Sequence, residues 1–295
     1  MAKKSKLKVP TKNELMKKYG ETMVLGSDTK ESNLWLPSTF FALNYQWGGG
    51  IPFGKIVEVA GEESSGKSLI AYNFAYATQQ LGGHVIWVDA EQAWMNSWAE
   101  ANGVDPEKVT IINDTRIEYV SDAVADLALY LRSQLVHNEP ILLVVDSIAA
   151  MDCSDNIDSK MVEAKAEMGG RAKALYKYFR IRAELFNKLG VTQIYINQLR
   201  TALNVGFGKD NTTTTGGAAL KFYASIRVAF FAGRAITVKF KGKERRAGKL
   251  VTLRMLKNKV APPRPTISKC PVYFNPKYHD VGFDRLYSLE DVLVE

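Results

Sequence analysis

The sequence predicts an α/β fold, a mostly parallel central sheet flanked by helices with an antiparallel extension near the C-terminus. Three observations predict it. Short apolar runs (KIVEVA at 55–60, HVIWVD at 84–89, ILLVVD at 141–146, VTQIYIN at 191–197) have the length of strands, and ILLVVD has the continuity of one buried on both faces. Segments of helical character lie between them, and this alternation favours a parallel sheet covered on both sides. A Gly-rich turn joins the first run to the first helix, in the pattern GxxxxGK followed by Ser or Thr.

Taken in order, residues 1–10 read as a flexible basic tail and residues 11–19 (TKNELMKKY) as a short helix, with Thr11 as its cap and Leu15, Met16 and Tyr19 on one side. Residues 34–54 hold Gly48, Gly49, Gly50, Pro52 and Gly54 and read as a loop entering a core. Helices are expected over 68–81, over 120–135, where apolar residues recur every three or four positions, and over 163–189. The pattern changes after residue 198: residues 199–215 are rich in Gly, Asn and Thr without periodicity, and such a long structureless segment is usually functional or disordered. A short helix over 217–223 and strands near 225–231, 236–240 and 250–256 follow, the last two forming a hairpin around a basic turn, KGKERRAGK. No internal repeat is present. The expected organisation is 1–33, a basic N-terminal segment; 34–275, the core; and 276–295, a short C-terminal tail.

Hydrophobic residues make up 46% of the 295, too many for a disordered chain. No apolar stretch is long enough for a membrane span, and no apolar run follows the N-terminal lysines as a signal peptide would require. Two cysteines, Cys153 and Cys270, are too few for a disulfide framework, so a reduced, cytoplasmic protein is expected. The net charge of +8 is concentrated: residues 1–20 hold seven Lys and one Glu, and residues 239–259 hold nine Lys or Arg and one Glu. Such clusters favour a polyanionic partner through counterion release; a solvated face is the other reading.

The sharpest motif is Gly61-Glu62-Glu63-Ser64-Ser65-Gly66-Lys67-Ser68, with Leu69 continuing into the helix. Its glycines let backbone N–H groups wrap a phosphate at a helix N-terminus; Lys67 reaches the β- and γ-phosphates, and the Ser68 hydroxyl ligates Mg²⁺. ATP and Mg²⁺ are therefore the expected cofactors. Asp146, at the end of its strand, offers the metal a carboxylate, or simply caps a helix. Glu91, in Asp89-Ala90-Glu91, could orient the attacking water, or stay solvated. Gln198 opens the long loop, where an amide could touch a γ-phosphate, although amides at strand ends are common. Leu203, Val205 and Phe207 could wedge or stack against bases while hydroxyls and N–H groups meet phosphates; a plain surface loop is the alternative. Met168-Gly169-Gly170-Arg171, ahead of Lys173 and Arg180, could be a second such contact.

Together these residues resemble the RecA/RadA recombinase family, its bacterial branch most closely, from about residue 34 to 275. GEESSGKS resembles the family's GPESSGKT, DAEQA its DAEHA, LLVVDSIAAM its metal-aspartate strand, and YINQLR its INQIR. TTTTGGAALKFYASIR resembles TTTGGNALKFYASVR, and LKNKVAPP resembles VKNKIAAP. The resemblance implies a RecA-type P-loop ATPase core that forms a helical filament on single-stranded DNA, pairs it with homologous duplex, and hydrolyses ATP when DNA is bound.

The resemblance also implies roles. Glu91 matches the catalytic glutamate and Gln198 the γ-phosphate sensor, with Lys67 beside them. Residues 168–180 fall on the first DNA-binding loop, with Met168, Gly169, Arg171, Lys173 and Arg180 as contacts. Residues 199–217 fall on the second, giving Arg200, Leu203, Phe207, Thr213, Thr214, Thr215, Gly216 and Gly217, with Ala218 just after it. Leu203 matches a residue inserted between base triplets. Lys257 and Lys259 match lysines that reach ATP in the neighbouring subunit, Phe222 an interface residue, and Trp98 a position where the family usually stacks Tyr on adenine. The segment before residue 34 would serve oligomerisation. Single-strand-binding and loader proteins are expected partners, in a bacterial or phage-infected cell.

Three departures stand out. Glu62 replaces a Pro and is expected to point to solvent. The second loop is one residue longer. Only about 20 residues follow the core, so the C-terminal domain that gathers duplex is expected to be absent or reduced, with the basic tail or KGKERRAGK in its place. The rival readings are a ring helicase or related motor, which would complete its site with an arginine finger, and a non-catalytic nucleotide-gated DNA binder. The LKNK lysines speak against the first, and the set Lys67, Ser68, Asp146 and Glu91 against the second.

Overall fold

The computed structural model describes residues 11–19, 34–158, 169–201, 212–262, 264 and 266–284. The chain divides into two units, Met1–Asn33 and Leu34–Glu295. In the first, α1 (Lys12–Tyr19) is held by the cap the sequence predicts. The Glu14 N–H donates to Thr11 Oγ1 (3.3 Å) and the Thr11 N–H donates back to Glu14 Oε2 (2.8 Å), a reciprocal capping box.

The second unit opens with β1 (Trp35–Leu36), α2 (Phe41–Trp47) and β2 (Ile51–Pro52), where the sequence predicts only a loop. Density of glycine disguised a short helix whose Leu43 and Trp47 are fully buried, and which Gly48 ends in the left-handed conformation (φ 89°). Next come β3 (Ile56–Gly61), α3 (Lys67–Gln80), β4 (His84–Asp89), α4 (Asn96–Ala101), β5 (Val109–Ile112), α5 (Ile117–Gln134), β6 (Ile141–Asp146) and α6 (Ser154–Asp158). The strands at 84–89 and 141–146 match their predicted bounds; α4 and β5 were not predicted, being too short to show a period.

The long helix expected over 163–189 is α7 (Gly170–Lys188). It begins at consecutive glycines, with Gly169 left-handed (φ 100°); residues 163–168 lie outside the described residues. After it, β7 runs from Val191 to Thr201, further than the predicted Asn197, and β8 (Thr212–Thr214) pairs back on it antiparallel, Leu199 opposite Thr214. The ends of the supposedly structureless segment are therefore strand; polar Thr and Arg residues paired at a sheet margin carry no apolar alternation to read.

Beyond α8 (Ala219–Tyr223) the correction is larger. The two strands expected at 225–231 and 236–240 are one, β9 (Ile226–Phe240), and its partner β10 spans Lys243–Asn258. Lys243 pairs with Phe240, so the turn is only Lys241-Gly242, both at positive φ (49° and 75°), the twist a two-residue hairpin demands. KERRAGK is thus strand, not turn. Charged side chains on the solvated half of a hairpin hid it. Finally, β11 (Ile267–Tyr273) and β12 (Gly282–Phe283) extend the sheet antiparallel.

The sheet order is β12-β11-β10-β9-β3-β7-β6-β4-β5, with β8 beside β7. From β9 to β5 neighbours are parallel, and from β9 to β12 antiparallel, as expected. One core layer joins α2 and α3 to the sheet (Trp47, Ile70, Phe74, Val57, Ile196); the other joins α5, α7 and α8 (Val124, Phe179, Leu220, Val145, Tyr195). The sheet reaches past residue 275. Phe283 is buried and stacks on Phe40, ring centroids 4.9 Å apart. Phe283→Ala should cost about 3 kcal/mol of stability, read from urea unfolding midpoints.

Candidate functional site

Four parallel strands bring their C-terminal ends to one edge. Gly61 at the end of β3 lies opposite Gln198 on β7, and Asp146 at the end of β6 lies opposite Asp89 on β4. The phosphate loop springs from this edge. Gly61 has no room for a side chain: a Cβ there would sit 2.6 Å from Ser65 Oγ and 2.8 Å from the Phe230 carbonyl. Ser64 (φ 55°) and Gly66 (φ 91°) turn the loop back left-handed so that α3 starts at Lys67. Buried Ser65 donates to the Glu62 carbonyl (2.8 Å), and so does Lys67 Nζ (2.6 Å). The Glu62 side chain is exposed, as expected.

The Ser68 hydroxyl donates to Asp146 Oδ2 at 2.7 Å, joining residues 78 apart in sequence. Burial pushes the Asp146 carboxyl up to about 6, opposed by the Ser68 hydrogen bond and Lys67 and reinforced by Glu91 and Asp89. Burial draws the Lys67 ammonium below the usual lysine value, while Asp146, Glu91, Glu63 and Glu62 hold it up. Glu91 accepts a short hydrogen bond from the Ser147 hydroxyl, one residue past Asp146. Asp89 accepts the N–H groups of Ala93 (3.0 Å) and Trp94 (2.8 Å), which fixes the turn that carries Glu91.

Two hollows flank Ser68. One, of about 400 Å³, is lined by Ser64, Ser65, Gly66, Lys67, Ser68 and Leu69 together with Trp98 and four residues the sequence reading missed: Arg246, Lys249, Val272 and Phe274. The other holds Tyr72, Trp87 and Trp94 beside Trp98, Asp89 and Asp146. The residues fit a magnesium nucleotide: a hydroxyl and a carboxylate already meet, a lysine and a helix N-terminus face the same hollow, and Mg²⁺ asks the protein for only one or two such ligands.

Lys257 and Lys259 are not among the residues lining either hollow. Lys257 Nζ donates to the carbonyls of Lys221 (2.7 Å) and Phe222 (3.2 Å) at the end of α8, and Phe222 is 70% exposed. Burial, then Lys259 and Arg227, lower the Lys257 pKa.

The expected DNA segments meet each other. A Cβ on Gly216 would lie 2.9 Å from Leu175 Cδ1, and one on Gly217 3.1 Å from Ala172 Cβ, so the glycines after β8 pack against the first turns of α7. Lys173 and Arg180 are exposed on α7, and Gly217 and Ala218 are exposed before α8. Arg171 is partly committed, donating to the Ala149 carbonyl (3.0 Å). Thr214 and Thr215 are buried rather than exposed, and the Thr215 hydroxyl donates to Asn197 Oδ1. Asn197 in turn donates to Glu58 (2.8 Å), a fully buried carboxylate that Arg227 pairs with. Arg200 and Thr213 lie on the paired strands β7 and β8. Met168, Leu203 and Phe207 lie outside the described residues.

Residues 7–275 match the model of the RecA N-terminal domain. The chain belongs to the RecA family. It is similar to Protein RecA of Bacteroides thetaiotaomicron (36% identity over 269 residues, 89% of this chain and 77% of the relative). Protein RecA of Petrotoga mobilis is 37% identical over 266 residues (89% and 68%), and that of Thermotoga petrophila 34% over 278 (94% and 72%). It is accordingly a RecA-like recombinase with an ATPase-type core. Among the described residues no helix is long and apolar enough to cross a membrane.

Proposed function

We propose that this RecA-family protein is a DNA-dependent ATPase that assembles as a helical filament on single-stranded DNA and promotes pairing and strand exchange with a homologous duplex. One observation carries the nucleotide half: Ser68 and Asp146 meet at the mouth of the phosphate loop, with Lys67 and Glu91 beside them. The loop N–H groups and Lys67 bind the phosphates. Ser68 and Asp146 hold magnesium, which neutralises phosphate charge when bound. Glu91, oriented by the Ser147 hydroxyl, accepts a proton from the attacking water. Gln198, on the strand beside Gly61, relates the phosphates to the paired ends of β7 and β8. Trp98 stacks on the base.

The DNA half rests on the packing of Gly216 and Gly217 against Leu175 and Ala172, which makes one surface of two distant segments. Lys173 and Arg180 supply charge there, and backbone N–H groups of 216–218 reach phosphate. Lys257 and Lys259 complete the neighbouring protomer's nucleotide site, with exposed Phe222 at that junction, so that ATP and DNA binding become linked through assembly. The exposed tip of the β9–β10 hairpin (Lys239, Lys241, Lys243, Arg245) gathers duplex. The protein works in the cytoplasm of a bacterial or phage-infected cell, with single-strand-binding and loader proteins as partners.

Single-stranded DNA should raise ATP turnover at least about tenfold, and raising salt from 50 to 200 mM should remove most of that stimulation. Electron microscopy with ATP and single-stranded DNA should show helical filaments; closed rings, or turnover indifferent to DNA, would favour a motor of another class. Glu91→Gln should leave ATP binding within about twofold and lower turnover by about 10²–10⁴. Loss of ATP binding in that variant, measured by filter retention, would instead give Glu91 a structural role.

A further inference from the structure

The hairpin part of the basic cluster, residues 239–249, has two parts. Lys239, Lys241, Lys243, Arg245 and Arg246 are all exposed, but Arg246, together with half-buried Lys249 on the same strand, also lines the hollow that holds the phosphate loop. The strand itself makes this division. β10 pairs with β9 through register shifts between Arg246 and Gly248 and between Lys249 and Val251, and on its other side Gly248 lies opposite Tyr273 and Lys249 opposite Val272. A Cβ on Gly248 would sit 2.3 Å from the Val272 carbonyl, so this crossing accepts only glycine. The β10–β11 rim is thereby pressed toward the phosphate loop, where Val272 Cγ1 lies 3.7 Å from the Cβ position of Gly66.

Arg246 is steadied by Phe274, its guanidinium carbon 5.5 Å from the ring centroid, and Phe274 lines the same hollow. Neither Arg246 nor Lys249 forms an ion pair with a carboxylate among the described residues. The hollow needs positive charge. Lys67 is the lysine of the loop itself, and Glu62, Glu63, Glu91 and Asp146 all act on it electrostatically. A nucleotide entering brings several further negative charges toward this acidic rim.

We infer that Arg246 and Lys249 are a same-protomer cation pair for the bound nucleotide, offsetting the acidic loop so that one subunit holds ADP or ATP without its neighbour. The inference rests on the reading that the phosphate loop binds nucleotide. A pair acting within one protomer serves ADP as well as ATP, unlike lysines contributed from the next subunit. It also gives the basic hairpin two separable tasks, one at the phosphate loop and one at the hairpin tip.

The test is titration of fluorescent (methylanthraniloyl) ADP and ATP with magnesium, without DNA and at protein concentrations where the chain is monomeric. Arg246→Ala with Lys249→Ala should weaken both nucleotides by at least about tenfold and flatten the salt dependence of binding. The charge-keeping pair Arg246→Lys with Lys249→Arg should recover most of that loss, which separates charge from folding. ADP affinity within about twofold of the parent in the double alanine variant, with Lys67→Ala still abolishing binding, overturns the inference alone. Unchanged binding in Lys67→Ala overturns the phosphate-loop reading beneath it.

Discussion

Lys67→Ala should reduce ATP turnover at least about a hundredfold and abolish ATP-dependent binding to single-stranded DNA. The ammonium faces the hollow at the N-terminus of α3, held near the Glu62 carbonyl and drawn on by four carboxylates. Removing it takes away the loop's own counter-charge where phosphate charge develops, and a lost donor at such a place costs on the order of 10²–10³ in turnover. Steady-state hydrolysis and fluorescence-anisotropy binding to a labelled oligonucleotide check it. The structure of the unliganded chain should hardly notice, because among the described residues the ammonium is hydrogen-bonded only within its own loop. A variant that hydrolyses ATP at the parent rate would remove the assigned site.

Asp146→Asn should move stability and activity in opposite directions. Burial lifts this carboxyl from an ordinary 3.8 to about 6 in the folded protein. Between those values the folded state binds more protons than the unfolded one, so stability falls as pH rises from about 4 to 6 and remains lower above. Asparagine removes the titrating charge, keeps an oxygen for the Ser68 hydroxyl, and should therefore stabilise the nucleotide-free protein at pH 7.5 by up to about 2–3 kcal/mol. The same change removes a metal carboxylate and should cut magnesium-dependent turnover at least about a hundredfold. Thermal unfolding in EDTA against pH, beside turnover with magnesium, reads both. A variant melting below the parent at pH 7.5 would show that the carboxylate is stabilising, contrary to the burial argument.

The strands of the parallel sheet were readable because burial on both faces leaves a continuous apolar run, as in HVIWVD and ILLVVD. The phosphate loop was readable because its conformation demands glycine at fixed places: at Gly61 a side chain would strike Phe230, and at Gly66 φ is positive. The antiparallel extension was read only in outline. Its outer strands are solvated on at least one side, so RAITVKF and KERRAGK show charge where a buried strand shows apolar residues. Likewise α2 hides behind glycines, and Phe283 lies in a segment that looks like a tail until its packing on Phe40 is seen.

The sequence by itself determined the alternation of strand and helix, the phosphate loop, its carboxylates and the family. Those are local properties, written in the period of burial and in residue types that backbone geometry or ligand chemistry requires. Only the tertiary structure decided which distant residues share a site: Ser68 with Asp146, Gly216 and Gly217 with α7, Thr215 turned inward to Asn197, and Arg246 and Lys249 brought to the phosphate loop. Strand register decides these meetings. A shift of one residue in β10 would take Arg246 and Lys249 out of the hollow at the phosphate loop, and nothing in the order of the letters reports register until the partner strands are in place.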